Sequence, residues 1–184
     1  MRVITGKAKG HKLSAPEGLD TRPTPDRIKE SFFNIIEPDL PGAIFLDLFC
    51  GSGAMGIEAL SRGAKEAVFV DNSDKCQPYI KSNLESTRLA GSARVIKSDA
   101  ADAIRLLSEK GFEFDIIFMD PPYKSGLVAQ TLLEILKSGI LKKTGYIAVE
   151  YPCGTDFVKP GGFEIVREKK YGKTTVMIFL ALEE

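Results

Sequence analysis

Apolar and polar positions along this 184-residue chain follow two alternating periods. Short apolar runs at Ala43–Leu48, Ala67–Val70, Arg94–Lys97, Asp115–Met119 and Tyr146–Glu150 read as strands. Between them, Gly53–Arg62, Lys75–Leu89, Ala101–Lys110 and Leu127–Lys137 carry the spacing of amphipathic helices. Strand and helix alternating in this way predict an α/β fold: a parallel sheet built by right-handed crossovers, with helices on both faces. The end of the chain breaks the rhythm. Phe163–Glu168 and Thr174–Leu182 are strand-like and joined by a short basic turn around Gly172. No helix fits between them, which predicts an antiparallel hairpin at the sheet edge, for seven strands in all.

Ahead of the first strand, Thr24 supplies a cap, Pro25 a first turn and Asp26 a charge at the positive end of a helix. Its apolar positions Ile28, Phe32, Ile35 and Ile36 share one face, and Pro38 stops it. Residues 1–13 predict a small hairpin turning near Lys7–Gly10. No repeat, linker or low-complexity segment interrupts the chain. The expectation is one domain over residues 1–184, with residues 1–24 as a basic amino-terminal extension.

Composition narrows the chemistry. Apolar residues are 43% and charged residues 27% of the chain, ordinary for a globular protein. No apolar run approaches the roughly 18 residues of a membrane span, and the basic start MRVITGKAKGHKL lacks the apolar block of a signal peptide. A cytoplasmic location with no membrane partner is expected. Cys50, Cys76 and Cys153 match no zinc spacing, and His11 is the sole histidine. A His-centred triad is thereby excluded, and no metal is expected. Formal net charge is zero, which by itself does not point to nucleic acid. Yet Arg2, Lys7, Lys9 and Lys12 occur with no acid in the first thirteen residues, and Lys169, Lys170 and Lys173 lie close together. Such tracts suit phosphate contacts and solvated edge lysines alike.

Candidate chemistry gathers at the ends of the predicted strands, where open α/β sheets place their ligands. The first strand runs into Asp47-Leu-Phe49-Cys-Gly51-Ser52-Gly53-Ala-Met-Gly56. Gly51, Ser52 and Gly53 form a tight turn that lets a ligand approach the backbone, and Gly56 lets the following helix pack closely. The spacing fits a dinucleotide loop, but Asp47 would repel a pyrophosphate and suits a cationic ligand. Asp71, followed by Asn72, ends the next strand twenty positions after Gly51, where a carboxylate can take both hydroxyls of a ribose; an N-cap role is the plainer alternative. Asp99 and Ala100 follow the third strand. The fourth runs into Asp120-Pro121-Pro122-Tyr123. The prolines remove backbone donors and hold the segment rigid, leaving the Asp120 carboxylate and the Pro121 carbonyl as acceptors for an exocyclic amine. Tyr123 can stack on its base, worth about 1–3 kcal/mol.

DLFCGSGAMGIEA resembles the first motif of class I methyltransferases, and DPPY resembles the fourth motif of amino-methyltransferases. The resemblance implies a Rossmann-like class I methyltransferase fold. It also implies S-adenosylmethionine as cofactor, S-adenosylhomocysteine as product, and Asp99 as a holder of the adenine amino group. As a residue, Asp99 serves equally as a helix cap. The basic start, Thr21-Arg22-Pro23-Thr24-Pro25-Asp26-Arg27, the two motifs and Tyr171-Gly172-Lys173-Thr174 together resemble the bacterial RsmD family nearly end to end. That resemblance implies methylation of the 2-amino group of guanine 966 in 16S ribosomal RNA, within an assembled or assembling small subunit, by a monomer. Lys7, Lys9, His11, Lys12, Arg22, Arg27 and Lys173 are the candidates for RNA contact; Arg22 could instead pair with Asp20 or Asp26. A DNA adenine-N6 or cytosine-N4 methyltransferase, a nicotinamide-dependent oxidoreductase and a non-catalytic RNA-binding assembly factor are the competing readings.

Overall fold

The computed structural model of the chain describes residues 1–16, 26–122, 126–154 and 159–182. In chain order the elements are α1 (Asp26–Ile36), β1 (Ile44–Leu48), α2 (Ala54–Ser61), β2 (Glu66–Asp71), α3 (Cys76–Ser86), β3 (Ala93–Lys97), α4 (Ala100–Glu109), β4 (Phe114–Met119), α5 (Leu127–Ser138), β5 (Leu141–Pro152), β6 (Phe163–Tyr171) and β7 (Thr174–Ala181). The seven strands form one sheet in the order β3-β2-β1-β4-β5-β7-β6. β1 to β5 pair in parallel, and β7 pairs antiparallel with both β5 and β6.

That order creates a switch point. The chain builds outward from β1 through β2 to β3, then returns to add β4 on the other side of β1. The connections leaving β1 and β4 diverge there and open a crevice at their carboxyl ends. Both faces of the sheet are covered. One core packs Ile28, Phe32 and Phe33 of α1, Ile57 and Leu60 of α2 and Ile80 and Leu84 of α3 on alternate strand residues such as Phe45, Phe69 and Phe118. The other packs Ile104 and Leu107 of α4 and Leu132 and Ile135 of α5 on Leu46, Val68 and Ile117. Burial on both faces explains why the central strands are near-continuous apolar runs.

The expected sheet strands and helices all form among the described residues, with three instructive differences, while the small hairpin expected over residues 1–13 is reduced to a single bridge. In α1, Phe33 is buried and Ile35 only partly so. Phe33 is drawn inward by stacking on Phe45, at 6.3 Å between centroids, and the Arg62 guanidinium lies 5.2 Å from its ring centre. β5 begins five residues before the apolar run at Tyr146. Its polar start is held by Lys142, whose Nζ lies 2.9 Å from both oxygens of Asp115, across an irregularity in the β4–β5 pairing. β6 continues through Lys169 and Lys170, exposed charges that suit an edge strand. Thr24 and Pro25, the expected start of α1, lie outside the described residues. Pro38 falls in a 3-10 turn, Glu37–Asp39, immediately after α1.

The amino-terminal segment turns as a tight loop. Arg2 and Lys12 form an antiparallel bridge, and the Val3 N–H donates to His11 O at 2.9 Å. Glu58 of α2 anchors it from inside. Its two oxygens accept the N–H groups of Ile4 (2.8 Å) and Thr5 (3.0 Å) and pair with Lys29 of α1 (3.2 Å) and Arg62 (2.9 Å). All three charged side chains are nearly inaccessible to solvent. Burial pulls the Lys29 ammonium below its ordinary pKa, and Glu58 opposes that pull. Removing one member of such a cluster strands the other charges in the core. Glu58→Ala is therefore expected to destabilise the fold by about 3–5 kcal/mol, read as a lowered urea midpoint; a loss within about 0.5 kcal/mol, the range of an ordinary surface substitution, would contradict the anchoring.

Candidate active site

A cavity of about 690 Å³ opens at the switch point, within the usual size range of small-molecule sites. Its floor is the connection from β1 to α2. Phe49 adopts φ 61°, a left-handed value that is uncommon for a bulky side chain, and Gly51 and Gly53 follow at φ 55° and 80°. This run of reversed backbone turns the chain within four residues and leaves Phe49, Cys50, Gly51 and Ser52 facing the cavity. Gly53, in the N-cap position of α2, and Gly56 do not line it. Gly56 acts from behind: a Cβ there would stand 2.3 Å from the Phe69 ring, so α2 can lie this close to β2 only with glycine.

Each strand of this half of the sheet brings an acid to the cavity. Asp47 of β1 is 1% exposed, and its Oδ2 accepts the Gly56 N–H at 2.8 Å. Burial pushes its carboxyl up to about 7, against the pull of that hydrogen bond and with a smaller push from Asp71. Asp47 thus fastens α2 besides contributing charge, a role its place in the sequence did not reveal. Asp71 ends β2 and accepts the Gly51 N–H and the Ser73 N–H, both at 2.8 Å, one on each oxygen. A carboxylate offers about four acceptor positions, so capacity remains on each side for ligand hydroxyls. Asp99 occupies the N-cap position of α4 but makes no side-chain capping bond. Its Oδ1 instead accepts from Asn72 Nδ2 at 2.7 Å, and both residues, with Ala100, face the cavity. The capping alternative for Asp99 is not the one realised.

Asp120 and Pro122 close the side beyond β4, while Pro121 does not face the cavity. Burial pushes the Asp120 carboxyl up to about 8, helped by the nearby charges of Glu150 and Asp47. Tyr123 and Arg22 lie outside the described residues, and of Arg27 only the backbone, in the first turn of α1, is described.

The basic candidates fall into two groups. The Lys7 N–H donates to Ser61 O at the carboxyl end of α2, and His11 Nδ1 lies 3.0 Å from Ala8 O within its own loop. The loop bearing Lys7 and Lys9 is therefore separated from the glycine turn by the length of α2, roughly 12 Å. Lys12 sits in the bridge to Arg2, nearer the cavity end. Lys173 lies in the turn between β6 and β7, and the Pro152–Thr174 pairing puts that turn at the carboxyl end of β5, the end at which the cavity opens. Ser31 of α1 docks this hairpin by donating its hydroxyl to the Tyr171 hydroxyl oxygen at 2.9 Å.

Several lining residues were not apparent from the sequence. Met1, Ala15 and Pro16 wall the cavity, so the amino-terminal segment belongs to the site. Asn83 of α3, 2% exposed, accepts the Ser14 N–H at 2.9 Å and donates to Ser14 O and Ser52 O, tying that segment to the glycine turn. Gln130, Thr131 and Glu134 of α5 face the cavity from the other side. No local motif marks these positions; only tertiary packing brings them in. Among the described residues, the lining holds five carboxylates, Asp47, Asp71, Asp99, Asp120 and Glu134, and no lysine or arginine. Such a surface opposes a pyrophosphate and suits a ligand carrying positive charge.

A seven-stranded sheet in this order, with an antiparallel final hairpin and acids at the strand ends, is the Rossmann-like fold of class I methyltransferases, enzymes whose cofactor is S-adenosylmethionine. The chain belongs to the family described as Conserved hypothetical protein 95, whose pattern it matches over residues 1–180, and it is RsmD-like in type. It is 41% identical to the Bacillus subtilis protein YlbH over 97% of this chain and 98% of that one. It is 35% identical to ribosomal RNA small subunit methyltransferase D of Escherichia coli, over 97% of this chain and 89% of the relative. The solved structure of the Escherichia coli protein yhhF superposes with a TM-score of 0.86 at 35% identity, covering 98% of this chain and 97% of that one.

Asp47 gives the free protein a pH signature. Its folded pKa, about 7, lies above the ordinary 3.8, so between those values the folded chain binds a proton that the unfolded chain has released. The Asp47 contribution to stability then falls as pH rises through that window, by about 1.4 kcal/mol per unit at most, and levels off above pH 7. Asp120, shifted the same way to about 8, adds a decline of its own. Asp47→Asn should flatten the decline in urea unfolding between pH 5 and 7; an identical slope in the variant would contradict the buried carboxyl's assignment.

Proposed function

We propose that the chain is an S-adenosylmethionine-dependent methyltransferase acting on an exocyclic base amine of ribosomal RNA, the 2-amino group of a guanine in the small-subunit RNA. The observation that carries the cofactor is the cavity lining, which among the described residues holds five carboxylates and no basic side chain. S-adenosylmethionine has no phosphate and two positive centres, an ammonium and a sulfonium, and it supplies a methyl group already activated for transfer. In this reading Asp71 takes the ribose hydroxyls while its bond to Gly51 keeps the turn in shape. Asp99, aimed by Asn72, takes the adenine amino group. The Phe49–Ser52 turn and Ala100 supply the remaining walls.

The acceptor side is the Asp120-Pro121-Pro122-Tyr123 segment. A base amine is a poor nucleophile because its lone pair is delocalised into the ring. Asp120 and the Pro121 carbonyl accept its hydrogens and draw the nitrogen toward a reactive geometry, and Tyr123 stacks on the extruded base. With the methyl already activated, positioning supplies most of the rate. Lys173 lies at the cavity end and suits phosphate contact beside the target base. Lys7, Lys9, His11 and Lys12, spread along the amino-terminal loop, suit the RNA backbone, and Arg22 and Arg27 are further candidates for the same contact by their charge. Ribosomal RNA rests on membership of a family with relatives named as ribosomal RNA small subunit methyltransferases, and guanine within it is what the motif-by-motif resemblance to the RsmD family implies. The whole chain folds as one domain in this reading and acts as a monomer without a metal.

Labelled methyl transfer to small ribosomal subunits lacking the modification, followed by mapping of the nucleotide, tests the proposal. Transfer to one guanine is expected, with Asp120→Ala lowering the rate at least a hundredfold while cofactor affinity stays within a few-fold, since such positioning and proton-transfer groups contribute about 10²–10⁴-fold. Transfer to naked duplex DNA but not to ribosomal particles would replace this reading with a DNA amino-methyltransferase.

A further inference from the structure

The cavity wall formed by the amino-terminal segment is held by one side chain that takes no part in the scheme above. Ala15 and Pro16 line the cavity, and the same stretch, with Ser14, borders a second hollow together with Lys75 and Tyr79. Among the described residues the stretch thus has open space beside it in both hollows, and packing alone does not fix its distance from the glycine turn. Hydrogen bonds do, and they converge on Asn83 of α3. Its Oδ1 accepts the Ser14 N–H at 2.9 Å, and its Nδ2 donates to Ser14 O at 2.8 Å and to Ser52 O at 3.0 Å. Both main-chain groups of Ser14 are therefore paired with one amide, as they would be with a neighbouring strand. Both amide hydrogens and the amide oxygen are used. Asn83 is buried on α3 with Cys76, Ile80 and Leu84, where an amide is costly unless its partners are in place.

We propose that Asn83 is a positioning residue for the cofactor, setting the spacing between the amino-terminal wall and the glycine turn. The inference rests on the methyltransferase reading above. Asn83 does not itself line the cavity; it acts through Ser52 on the floor and through Ser14 on Ala15 and Pro16. With its N–H and carbonyl both held, Ser14 sends the chain into the wall in a single direction. A wall ordered before the ligand arrives has less freedom to lose on binding, so the amide raises cofactor affinity. The transfer step is separate. Its groups, Asp120 and the proline segment, follow β4, and none of the three bonds reaches them. The pairing is chemically specific. Asn83→Ala leaves the Ser14 N–H and both carbonyls without that partner, and Asn83→Asp keeps the shape but turns an ionised oxygen toward the carbonyls of Ser14 and Ser52.

The test compares the intact protein with Asn83→Ala, Asn83→Asp and Leu84→Ala, the last removing core packing on the same helix and none of the three bonds. Calorimetric titration with S-adenosylhomocysteine should show both Asn83 variants weakened by at least about fivefold, the worth of one ordinary hydrogen bond. In methyl transfer to small subunits their KM for S-adenosylmethionine should rise in proportion, with kcat at saturating cofactor little changed. Leu84→Ala should unfold at lower urea yet keep the affinity and KM of the intact protein. Amide hydrogen exchange gives an arm that needs no variant: S-adenosylhomocysteine should slow exchange of the Ser14 N–H in the intact protein. Asn83 variants that bind like the intact protein, an equal loss in Leu84→Ala, or a fall in kcat at unchanged KM would overturn the positioning role. So would Ser14 exchange indifferent to the ligand. Failure of the intact protein to bind S-adenosylhomocysteine would instead overturn the cofactor reading itself, and the proposal with it.

Discussion

At the start of α2, the Gly56 backbone lies against the Phe69 ring and gives its N–H to the buried carboxylate of Asp47. Helix and sheet can approach this closely only because Gly56 lacks a Cβ, and the first turn of the helix is held by a carboxyl placed inside the strand. The rest of the molecule inherits this constraint. With α2 so near the sheet, the chain leaving β1 must reverse between Phe49 and Gly53, and that reversal makes the cavity floor. At its other end α2 offers Glu58 and Ser61 to the amino-terminal segment, which returns to wall the cavity with Met1, Ala15 and Pro16. Packing, cavity floor and amino-terminal loop are thus linked through one eight-residue helix.

The electrostatics are equally one-sided. Acids from successive strands converge on the cavity, and the buried positive charges of this face, Lys29 and Arg62, are tied to Glu58 and kept away from it. In the free protein the burial of Asp47 and Asp120 favours their protonated forms. A cationic ligand reverses that preference, so its binding releases protons and tightens as pH rises through the range in which the empty cavity holds these acids neutral. A dinucleotide would find the opposite field.

Much of this was legible in the chain because its signals are local and periodic. The alternation of apolar runs with amphipathic stretches, the Gly51–Gly56 turn and the acids Asp71, Asp99 and Asp120 at strand ends correspond to elements as they stand. The polar start of β5 was hidden because Lys142 is held there by Asp115 across an irregularity in the pairing, neither of which has a sequence period. Asn83 and Glu58 were likewise invisible: each looks like a solvated helix residue, and each is buried because a distant segment folds over it. Asp47 was recognised for its charge, while its grip on Gly56 depends on a contact across nine residues.

The central claim is that this acid-lined cavity holds S-adenosylmethionine. Calorimetric titration with S-adenosylhomocysteine and, separately, with NADH tests it most directly, using the intact protein and Asp71→Ala. Micromolar binding of S-adenosylhomocysteine, roughly −8 kcal/mol, weakened at least tenfold in Asp71→Ala and with no measurable heat from NADH, is the predicted result. Binding of NADH in preference, or adenosyl binding indifferent to Asp71, would contradict it.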